Sequence, residues 1–391
     1  MKVGVSVKQL FIKTERQREW IDKLEKHQAS FSSYSQEIDE KSRFPVENIQ
    51  ALIHMGYTTL PLSKEFGGEG ISISDMVLFQ ETISSFDGAT GLSIGWHQSV
   101  VGELYEKKLW DKRVLERFAQ QVKSGALVNR AASEAQTGSP TRGGRPGTTA
   151  EKKAGKWIIS GRKIFTTMSP ALTHFLVTAW IAEKGGIGVF LIEKDSNGLS
   201  LEENWHVISM RGTESHDLVL NQVEVAEENF VEFFQGTKGK SLNAWLLHIP
   251  ACYLGIAQAA RDYSVQFAAD YSPNSITGTI SQLPNVQSLI GKMDLELMKA
   301  RHFLYSVAEL YDDHSRRPYI TNELGAAKHI VTNSSLKIVD QAMRIVGAKS
   351  LQLSNPLQRY YRDARAGLHN PPMDDMTIAK IAQTAISEMK K

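Results

Sequence analysis

The feature that most constrains the fold is a change in hydrophobic period near Leu127. Before it, apolar residues recur at helical spacing, as in "FPVENIQALIHMGY". After it come short runs rich in Val, Ile, Phe and Thr, such as "KWIISGRKIFTT" and "HFLVTAWIAE", which are separated by Gly, Ser, Asn and Asp. Such runs are typical of strands and turns. No helical stretch of about ten residues lies between them, so the sequence predicts an antiparallel sheet and not a doubly wound parallel one.

The helical period returns after the polar stretch "FQGTKGKS" and continues in "ELGAAKHIVTNSSLKIVDQAMRIVGA". Long amphipathic helices side by side predict a helical bundle. We therefore predict a mainly α protein with a central β domain. Its parts are an N-terminal helical domain at 1–127, a middle β domain at 128–235 and a C-terminal helical bundle at 236–391. In the first domain, "ISDMVLFQETISSF" is predicted to be a helix with Ser74 as its N-cap.

The composition is that of an ordinary globular protein. The chain has 391 residues, of which 41% are hydrophobic and 23% are charged. A net charge of +2 gives no electrostatic reason to expect nucleic acid or an anionic membrane as a partner. No apolar run reaches the ~18–20 residues of a membrane span, and the N-terminus lacks an apolar signal core. Cys252 is the only cysteine, which excludes an internal disulfide, so we expect a cytoplasmic protein.

Several common catalytic and nucleotide-binding motifs are missing from the chain. There is no G-x-G-x-x-G after a strand, no G-x-x-x-x-G-K-[ST], no H-E-x-x-H and no G-x-S-x-G. The glycines in "EFGGEGIS" lie outside a βαβ unit, so we interpret them as a turn between helices. The His, Asp and Glu residues show no metal-ligand spacing, and no metal is expected.

Seven stretches, in order, resemble segments of the acyl-CoA dehydrogenase superfamily. "LPLSKEFGGEGIS" is similar to the family's "P-x-x-Y-G-G-x-G", "ASEAQTGSP" to its "T-E-P-x-A-G-S-D", and "WIISGRKIFTT" to its "Y-V-I-N-G-x-K-x-W-I-T". Further along, "SMRGTESHDLVLNQVEV", "LPNVQSLIGKM", "RIVGAKSL" and "YYRDAR" resemble later family segments. Each match alone is weakly specific, whereas their common order identifies the chain as a member of the superfamily.

The resemblance implies the family's architecture, with an antiparallel β-barrel domain between two helical domains. It also implies a flavin, normally FAD, against the β domain, and a homotetramer in which a neighbouring subunit completes the cofactor site. By position, Ser133, Phe165 and Thr167 fall on residues that contact the flavin in the family, and Ser139 falls on a serine near the phosphate and thioester. A hydroxyl near flavin N5 stabilises the reduced ring, and an aromatic side chain shields one ring face from water.

The family's catalytic glutamate is absent from both of its usual places. Dehydrogenation needs a base that removes an α-proton while hydride leaves the β-carbon. Beyond "YYRDAR" the family has "Y-E-G-T", whereas this chain has "LHNPPMDD". At the second place, on the first long helix of the bundle, stands Trp245. The sequence leaves His369 as the candidate catalytic group, with Asp374 and Asp375 as the other candidates nearby.

His369 stands where a helix must end, because Pro371 and Pro372 cannot continue one. The flavin-dependent monooxygenases built on this fold are similar here, since they carry a histidine in an "L-H-x-P" type segment near the flavin. A histidine can give or take a proton near neutrality, which suits either chemistry. The alternative is a C-terminal helix cap, where histidine is also favoured. We interpret His97, in "SIGWHQSV", as structural.

The cofactor's phosphate site also departs from the family pattern. Where the family usually has an arginine that reaches a neighbouring subunit's pyrophosphate, this chain has Pro273 and Asn274. In "RIVGAKSL", Arg344 replaces the family's glutamine and Gly347 matches one of its glycines. Arg344 and Gly347 are therefore candidate cofactor-binding residues, with Arg344 supplying the missing cation. Alternatively, the pyrophosphate site is degraded and the flavin is FMN.

Three functions stay open from the sequence. The first is an FAD-dependent acyl-CoA dehydrogenase-type oxidoreductase of fatty acid metabolism, acting on an acyl-CoA or another small hydrophobic substrate and passing electrons to an electron-transfer flavoprotein. The second is a flavin-dependent monooxygenase supplied by a flavin reductase. The third is a non-catalytic flavin- or acyl-CoA-binding protein. The missing glutamates favour the second and third, whereas the overall similarity favours the first.

Overall fold

Helices, strands and helices follow one another in a computed structural model that describes residues 7–137, 144–235 and 243–390. The first helical group within these ranges consists of α1 (Glu15–Glu25), α2 (Gln28–Ser33), α3 (Ser35–Lys41), α4 (Val46–His54), α5 (Ile73–Phe86), α6 (Gly88–Lys107) and α7 (Lys112–Lys123). The second consists of α8 (His248–Asp270), α9 (Pro284–Asp312), α10 (Glu323–Val346), α11 (Pro356–Ala366) and α12 (Asp374–Glu388). The predicted architecture, mainly α with a central β domain, is confirmed.

The β part is one sheet. Its strands are β1 (Val128–Ala131), β2 (Thr149–Lys153), β3 (Lys156–Lys163), β4 (His174–Ile181), β5 (Gly186–Glu193), β6 (Leu199–Glu202), β7 (Asp217–Ala226) and β8 (Phe230–Gln235). Their order is β6-β7-β3-β2-β4-β5-β8, and β1 pairs with β4. Most pairs are antiparallel, as predicted, although β1 and β2 run parallel to β4. The path of the described strands is open, so the term barrel is too strong; closure depends on strand tilt and register, which local alternation does not encode.

The start of α5 differs from the prediction. Ser72, not Ser74, is the N-cap: its hydroxyl accepts from the amide of Asp75 at 3.1 Å, while the Asp75 carboxylate accepts from the Ser72 amide at 3.0 Å. This reciprocal pair is a capping box with aspartate in the third helical position. The amide of Ser74 donates instead to Asp312 of α9 at 2.9 Å. The helix therefore begins two residues earlier than expected.

Helix α5 is the centre of the helical core, with 12 of its 14 residues buried. Its buried Glu81 accepts hydrogen bonds from Arg301 Nε at 3.0 Å and from the Tyr305 hydroxyl at 2.6 Å, both on α9. Arg301 also donates to Gln258 of α8 at 2.7 Å. A buried carboxylate must be paired in this way. The network therefore joins three helices through one charged pair.

Two glycines of α6 allow it to pack closely against the start of α8 and the turn that precedes it. A Cβ at Gly95 would lie 2.4 Å from Nδ1 of His248, and one at Gly102 would lie 2.2 Å from the indole of Trp245. No side chain fits at such distances, so glycine is required for this approach. Among the described helices, none has the length and hydrophobicity needed to cross a membrane.

Candidate functional site

A strained turn directly follows β3. Phe165 and Met168 have a left-handed backbone, with φ of 57° and 67°. This conformation costs a non-glycine residue about 1–2 kcal/mol, so the surrounding structure must hold it. Met168 N donates to the carbonyl of Thr213 at 2.9 Å, and Thr166 N donates to that of His216 at 3.2 Å. Strain of this kind is concentrated at functional sites, which makes the turn the first candidate.

The turn presents an aromatic ring beside two hydroxyl groups. Phe165 is 61% exposed, and its ring meets Trp205 edge-on at 6.0 Å between centroids. Thr166 is buried, and its Oγ1 has no hydrogen-bond partner within the described part of the chain. Thr167 is also buried. The exposed Phe165 ring close to the Thr167 hydroxyl fits a flat aromatic ligand with a polar edge, which is the chemistry of a flavin ring, whereas the Thr166 hydroxyl is too deeply buried to reach such a ligand.

A chain of hydroxyl groups lies behind Thr167. Ser215 Oγ donates to Thr167 Oγ1 at 3.0 Å, and the Ser215 and Thr213 hydroxyls are 2.9 Å apart. Thr213 in turn donates to the carbonyl of Met210 at 2.9 Å. Thr213 gives its one hydroxyl hydrogen to Met210, and Ser215 can give its own to Thr167 or to Thr213 but not to both, so the chain fixes the position of the Thr167 hydroxyl. Sequence reasoning did not single out Thr213 and Ser215, although both stand in the quoted stretch "SMRGTESHDL".

Ser133 lies beside this turn. Its carbonyl accepts from the amide of Ile164 at 2.9 Å. Below it, the buried carboxylate of Glu134 accepts from Lys163 Nζ at 2.5 Å and from the amide of Gly147 at 2.6 Å. Burial lowers the pKa of the Lys163 ammonium to about 8, although Glu134 acts in the opposite direction. The structure therefore brings Ser133 and the Phe165 turn together over a buried ion pair.

Trp245, predicted above to stand at the second place of the family's glutamate, is a buried residue. Its indole is buried against Gly102, and Nε1 donates to Glu106 at 2.8 Å. Glu106 also accepts from Arg317 at 2.9 Å and from the Tyr311 hydroxyl at 3.4 Å. The carboxylate nearest to this place is thus already bound by a cation and two further donors. Neither Trp245 nor Glu106 is available here to remove a proton from a substrate.

His369 ends a short 3-10 segment that follows α11. Its side chain is exposed, and no hydrogen bond to it is found among the described residues. Within the described residues, the His369 ring therefore makes no capping hydrogen bond to the last carbonyls of α11. The neighbouring Asn370 accepts from the Tyr253 hydroxyl at 2.6 Å, which attaches the segment to α8. Whether His369 acts on a substrate stays a prediction.

Asp374, the next candidate base, is held by other side chains. It accepts from Asn333 Nδ2 at 2.9 Å and lies 3.1 Å from Nδ1 of His329 and 3.7 Å from Lys328 Nζ. Burial raises the pKa of this carboxyl, but the hydrogen bonds from Asn333 and His329 outweigh burial and lower it. Asp374 is therefore a weaker candidate than the exposed His369.

Arg344 and Gly347 stand at the end of α10. The Arg344 side chain is 66% exposed and pairs with Asp340 at 2.7 Å. Gly347 has φ 69° and ψ −151°, which only glycine adopts readily, and a Cβ there would meet nothing within 4 Å. The two residues thus present a cation and an open stretch of backbone. Ser139 lies outside the described residues.

His97, interpreted above as structural, is buried between α6 and the sheet. Its Nε2 lies 3.0 Å from the carbonyl of Thr58, and its Nδ1 accepts from the amide of Val128 at 3.2 Å. Both ring nitrogens are thus used within the protein. Burial lowers its pKa to about 4, so the ring is neutral near pH 7. This geometry supports the structural interpretation.

Comparison with known protein families gives matches along most of the chain. The N-terminal, middle and C-terminal domains of acyl-CoA dehydrogenase match residues 14–108, 129–223 and 240–368. A putative acyl-CoA dehydrogenase of Bacillus subtilis, YdbM, is 60% identical over 96% of this chain and 99% of its own length. The L-evernosamine nitrososynthase of a Micromonospora strain is 26% identical over 84% of this chain and 80% of its own.

Solved structures show the same fold. Butyryl-CoA dehydrogenase of Megasphaera elsdenii superimposes with a TM-score of 0.84 at 18% identity, covering 96% of this chain and 99% of that one. KijD3 in complex with FMN and a dTDP-amino-keto sugar gives a TM-score of 0.84 at 22% identity, covering 96% and 94%. With three domain matches in order and a relative that is 60% identical over nearly its whole length, the chain belongs to the acyl-CoA dehydrogenase family.

Proposed function

We propose that the chain is a flavin-dependent oxidoreductase of the acyl-CoA dehydrogenase type, with the flavin ring against the Phe165 turn. The observation that carries this proposal is the strained turn itself, which exposes Phe165 and backs Thr167 with a chain of buried hydroxyls. When bound, a flavin would supply hydride acceptance. Phe165 would cover part of the ring, and Thr167 would place its hydroxyl at the polar edge.

The proposed reaction is the α,β-dehydrogenation of an acyl-CoA thioester, with an electron-transfer flavoprotein as the electron acceptor. The 60% identical relative, named a putative acyl-CoA dehydrogenase, supports this class of reaction. Because Trp245 stands at one predicted place of the family's base and the segment "AGLHNPPMDD" directly after "YYRDAR" holds no glutamate, the proton must go to another group. We assign this role to His369, whose ring makes no hydrogen bond within the described residues.

A second candidate function is a flavin monooxygenase reaction that uses reduced flavin and oxygen. Two observations favour it: the absence of the family's glutamate, and the 26% identity to a nitrososynthase over 84% of the chain. In this case His369 would serve as a proton donor or acceptor toward a different substrate, and a flavin reductase would be the partner. The two functions need the same flavin site and differ in their source of electrons.

We also propose a homotetramer, in which Arg344 and Gly347 face the flavin of a neighbouring subunit. Large apolar side chains are exposed along the second helical group, and a partner copy could bury them. They include Leu295, Leu351, Leu353 and Ile378, which are 65%, 70%, 76% and 56% exposed. Arg344 and Gly347 lie at the end of α10, just before Leu351 and Leu353. Burial of this surface against a partner copy would therefore also place them next to that copy's flavin.

The proposed function is tested on the purified protein. We expect denaturation to release a flavin that chromatography identifies as FAD. Anaerobic addition of a series of acyl-CoA thioesters should then bleach the visible absorption of the bound flavin. A flavin that is weakly held, stays oxidised with every thioester and, once reduced externally, is reoxidised by oxygen with formation of an oxygenated product would favour the monooxygenase function. Failure to bind either FAD or FMN after reconstitution would contradict both.

Replacing Arg344 by alanine should weaken FAD binding more than FMN binding. Only FAD carries the pyrophosphate and adenosine that a cation at the end of α10 would contact, and a charge-assisted contact contributes roughly 1.5–3 kcal/mol, or about ten- to a hundredfold in affinity. Arg316→Ala is the matched control, because Arg316 is 62% exposed and pairs with Asp313 at 2.7 Å in the same manner. Equal losses for FAD and FMN would place Arg344 away from the pyrophosphate.

A further inference from the structure

The loop between β6 and β7 is held from two sides by helices of the two helical groups. Asp363 of α11 accepts from the amide of Met210 at 2.6 Å. Arg362, its neighbour, donates to the carbonyl of Ile208 at 2.6 Å. From the other side, Arg211 of the loop donates through Nε to the carbonyl of Asp39, on α3, at 2.6 Å. Arg362 also pairs with the Asp39 carboxylate, which links α11 to α3 directly.

One residue of this loop, Met210, connects Asp363 to the Phe165 turn. Met210 has a left-handed backbone, with φ of 51°. Its amide is bound by Asp363, and its carbonyl accepts from the hydroxyl of Thr213 at 2.9 Å and from Trp205 Nε1 at 3.2 Å. Thr213 leads through Ser215 to Thr167. The contacts thus run without a gap from a carboxylate on α11 to the hydroxyl that faces the proposed flavin.

The protonation of Asp363 sets the strength of its hydrogen bond with the Met210 amide. The side chain is 5% exposed. Burial raises its pKa to about 7, against the opposing effects of the Met210 amide and Arg359. Arg362 and Asp39 also influence the pKa of Asp363. Asp363 in turn influences the pKa of three neighbours, namely Tyr360, Cys252 and Tyr253. A carboxylate accepts a hydrogen bond more strongly than the neutral acid does, so the bond to Met210 strengthens when Asp363 ionises.

We propose that Asp363 is a positioning residue of the flavin site. Its ionised form holds the backbone of Met210 in place and thereby aligns the hydroxyl chain that ends at Thr167. Flavin affinity then rises as Asp363 loses its proton. The inference rests on the proposed function only in placing the flavin at the Phe165 turn. The effect on stability has the opposite sign, because a buried aspartate with a raised pKa costs folding free energy increasingly as pH rises from its unfolded value of 3.8 to about 7.

The test is the pH dependence of flavin release from the purified protein. The dissociation constant of the flavin that purifies with the chain is measured by dilution and fluorescence between about pH 5.5 and about pH 8.5. Charge-assisted and neutral hydrogen bonds differ by about 1 kcal/mol, so affinity should rise about fivefold with a midpoint near pH 7. Asp363→Asn keeps an acceptor but cannot ionise, and it should hold the low-pH affinity throughout.

Asp262→Asn is the matched control, because Asp262 is 57% exposed on α8 and should leave the pH profile unchanged. A wild-type protein that binds flavin with an affinity independent of pH would overturn the proposal without any variant, as would an Asp363→Asn protein that keeps the wild-type profile. If the variant does not fold, a wild-type midpoint near pH 7 supports the proposal, whereas a midpoint near pH 8 would point to Lys163 and overturn it. If the wild-type protein binds neither FAD nor FMN, the proposed function itself has failed.

Discussion

Arg301→Met should lower the free energy of unfolding by about 3–5 kcal/mol, because it leaves the carboxylate of Glu81 buried without its cation. Both side chains of this pair are 1% exposed. After the replacement, the described donors to Glu81 would be reduced to the Tyr305 hydroxyl. Methionine fills much of the volume of the arginine stem, so the loss measures the pairing more than the packing. Urea unfolding at fixed protein and flavin concentrations gives the value.

Lys299→Met is the matched control, because Lys299 lies on the same helix and pairs with Glu296 at 2.6 Å while its own side chain is 55% exposed. That change should cost less than about 1 kcal/mol. Combining Arg301→Met with Glu81→Met removes both charges and should recover most of the lost stability. A cost for Arg301→Met no larger than that of Lys299→Met would mean that the buried pair does not hold α5 to α9.

His369→Ala should lower turnover by roughly 10²–10⁴-fold, the usual contribution of a general acid or base. Because the His369 side chain is exposed, folding and flavin content should be nearly unchanged. His369→Asn separates shape from proton chemistry, since an amide keeps a hydrogen-bond donor but does not exchange a proton near neutrality. Steady-state kinetics with the best thioester of the series, alongside the flavin spectrum of each variant, measures the effect.

His314→Ala provides the control, because His314 is also exposed but lies at the end of α9. It should keep full turnover. If His369→Asn is as active as the wild-type protein while His369→Ala is not, the ring acts through hydrogen bonding and not as a base. Should both variants keep full activity in dehydrogenase and oxygenase assays alike, His369 has no catalytic role, and Asp374 and Asp375 become the next groups to replace.

The long helices and the strands could be predicted because apolar period is a local property. The stretch "ELGAAKHIVTNSSLKIVDQAMRIVGA" became α10, and the runs "KWIISGRKIFTT" and "HFLVTAWIAE" became β3 and β4. The parallel pairing of β1 with β4 could not be predicted, since Val128 meets His174 across a chain distance that carries no local signal. The choice of Ser72 over Ser74 as N-cap also depended on a distant group, the carboxylate of Asp312.

The candidate site was only partly accessible from the sequence. Ser133, Phe165 and Thr167 came from the resemblance to family segments, and the structure places them side by side. Thr213 and Ser215 were missed, because the fold alone brings their hydroxyls to Thr167 from nearly 50 residues away. Asp363 was quoted only as part of "YYRDAR". The depth of its burial, which raises its pKa, follows from the packing of α11 against the β6–β7 loop.

The packing of Trp245 limits which side chains can stand at this position. Glutamate there would vacate the volume of an indole beside Gly102 and place a second carboxylate next to Glu106, where like charges repel. Trp245→Glu alone should therefore destabilise the protein. A variant designed to carry a carboxylate at this position would also need a neutral residue in place of Glu106 and a larger side chain in place of Gly102.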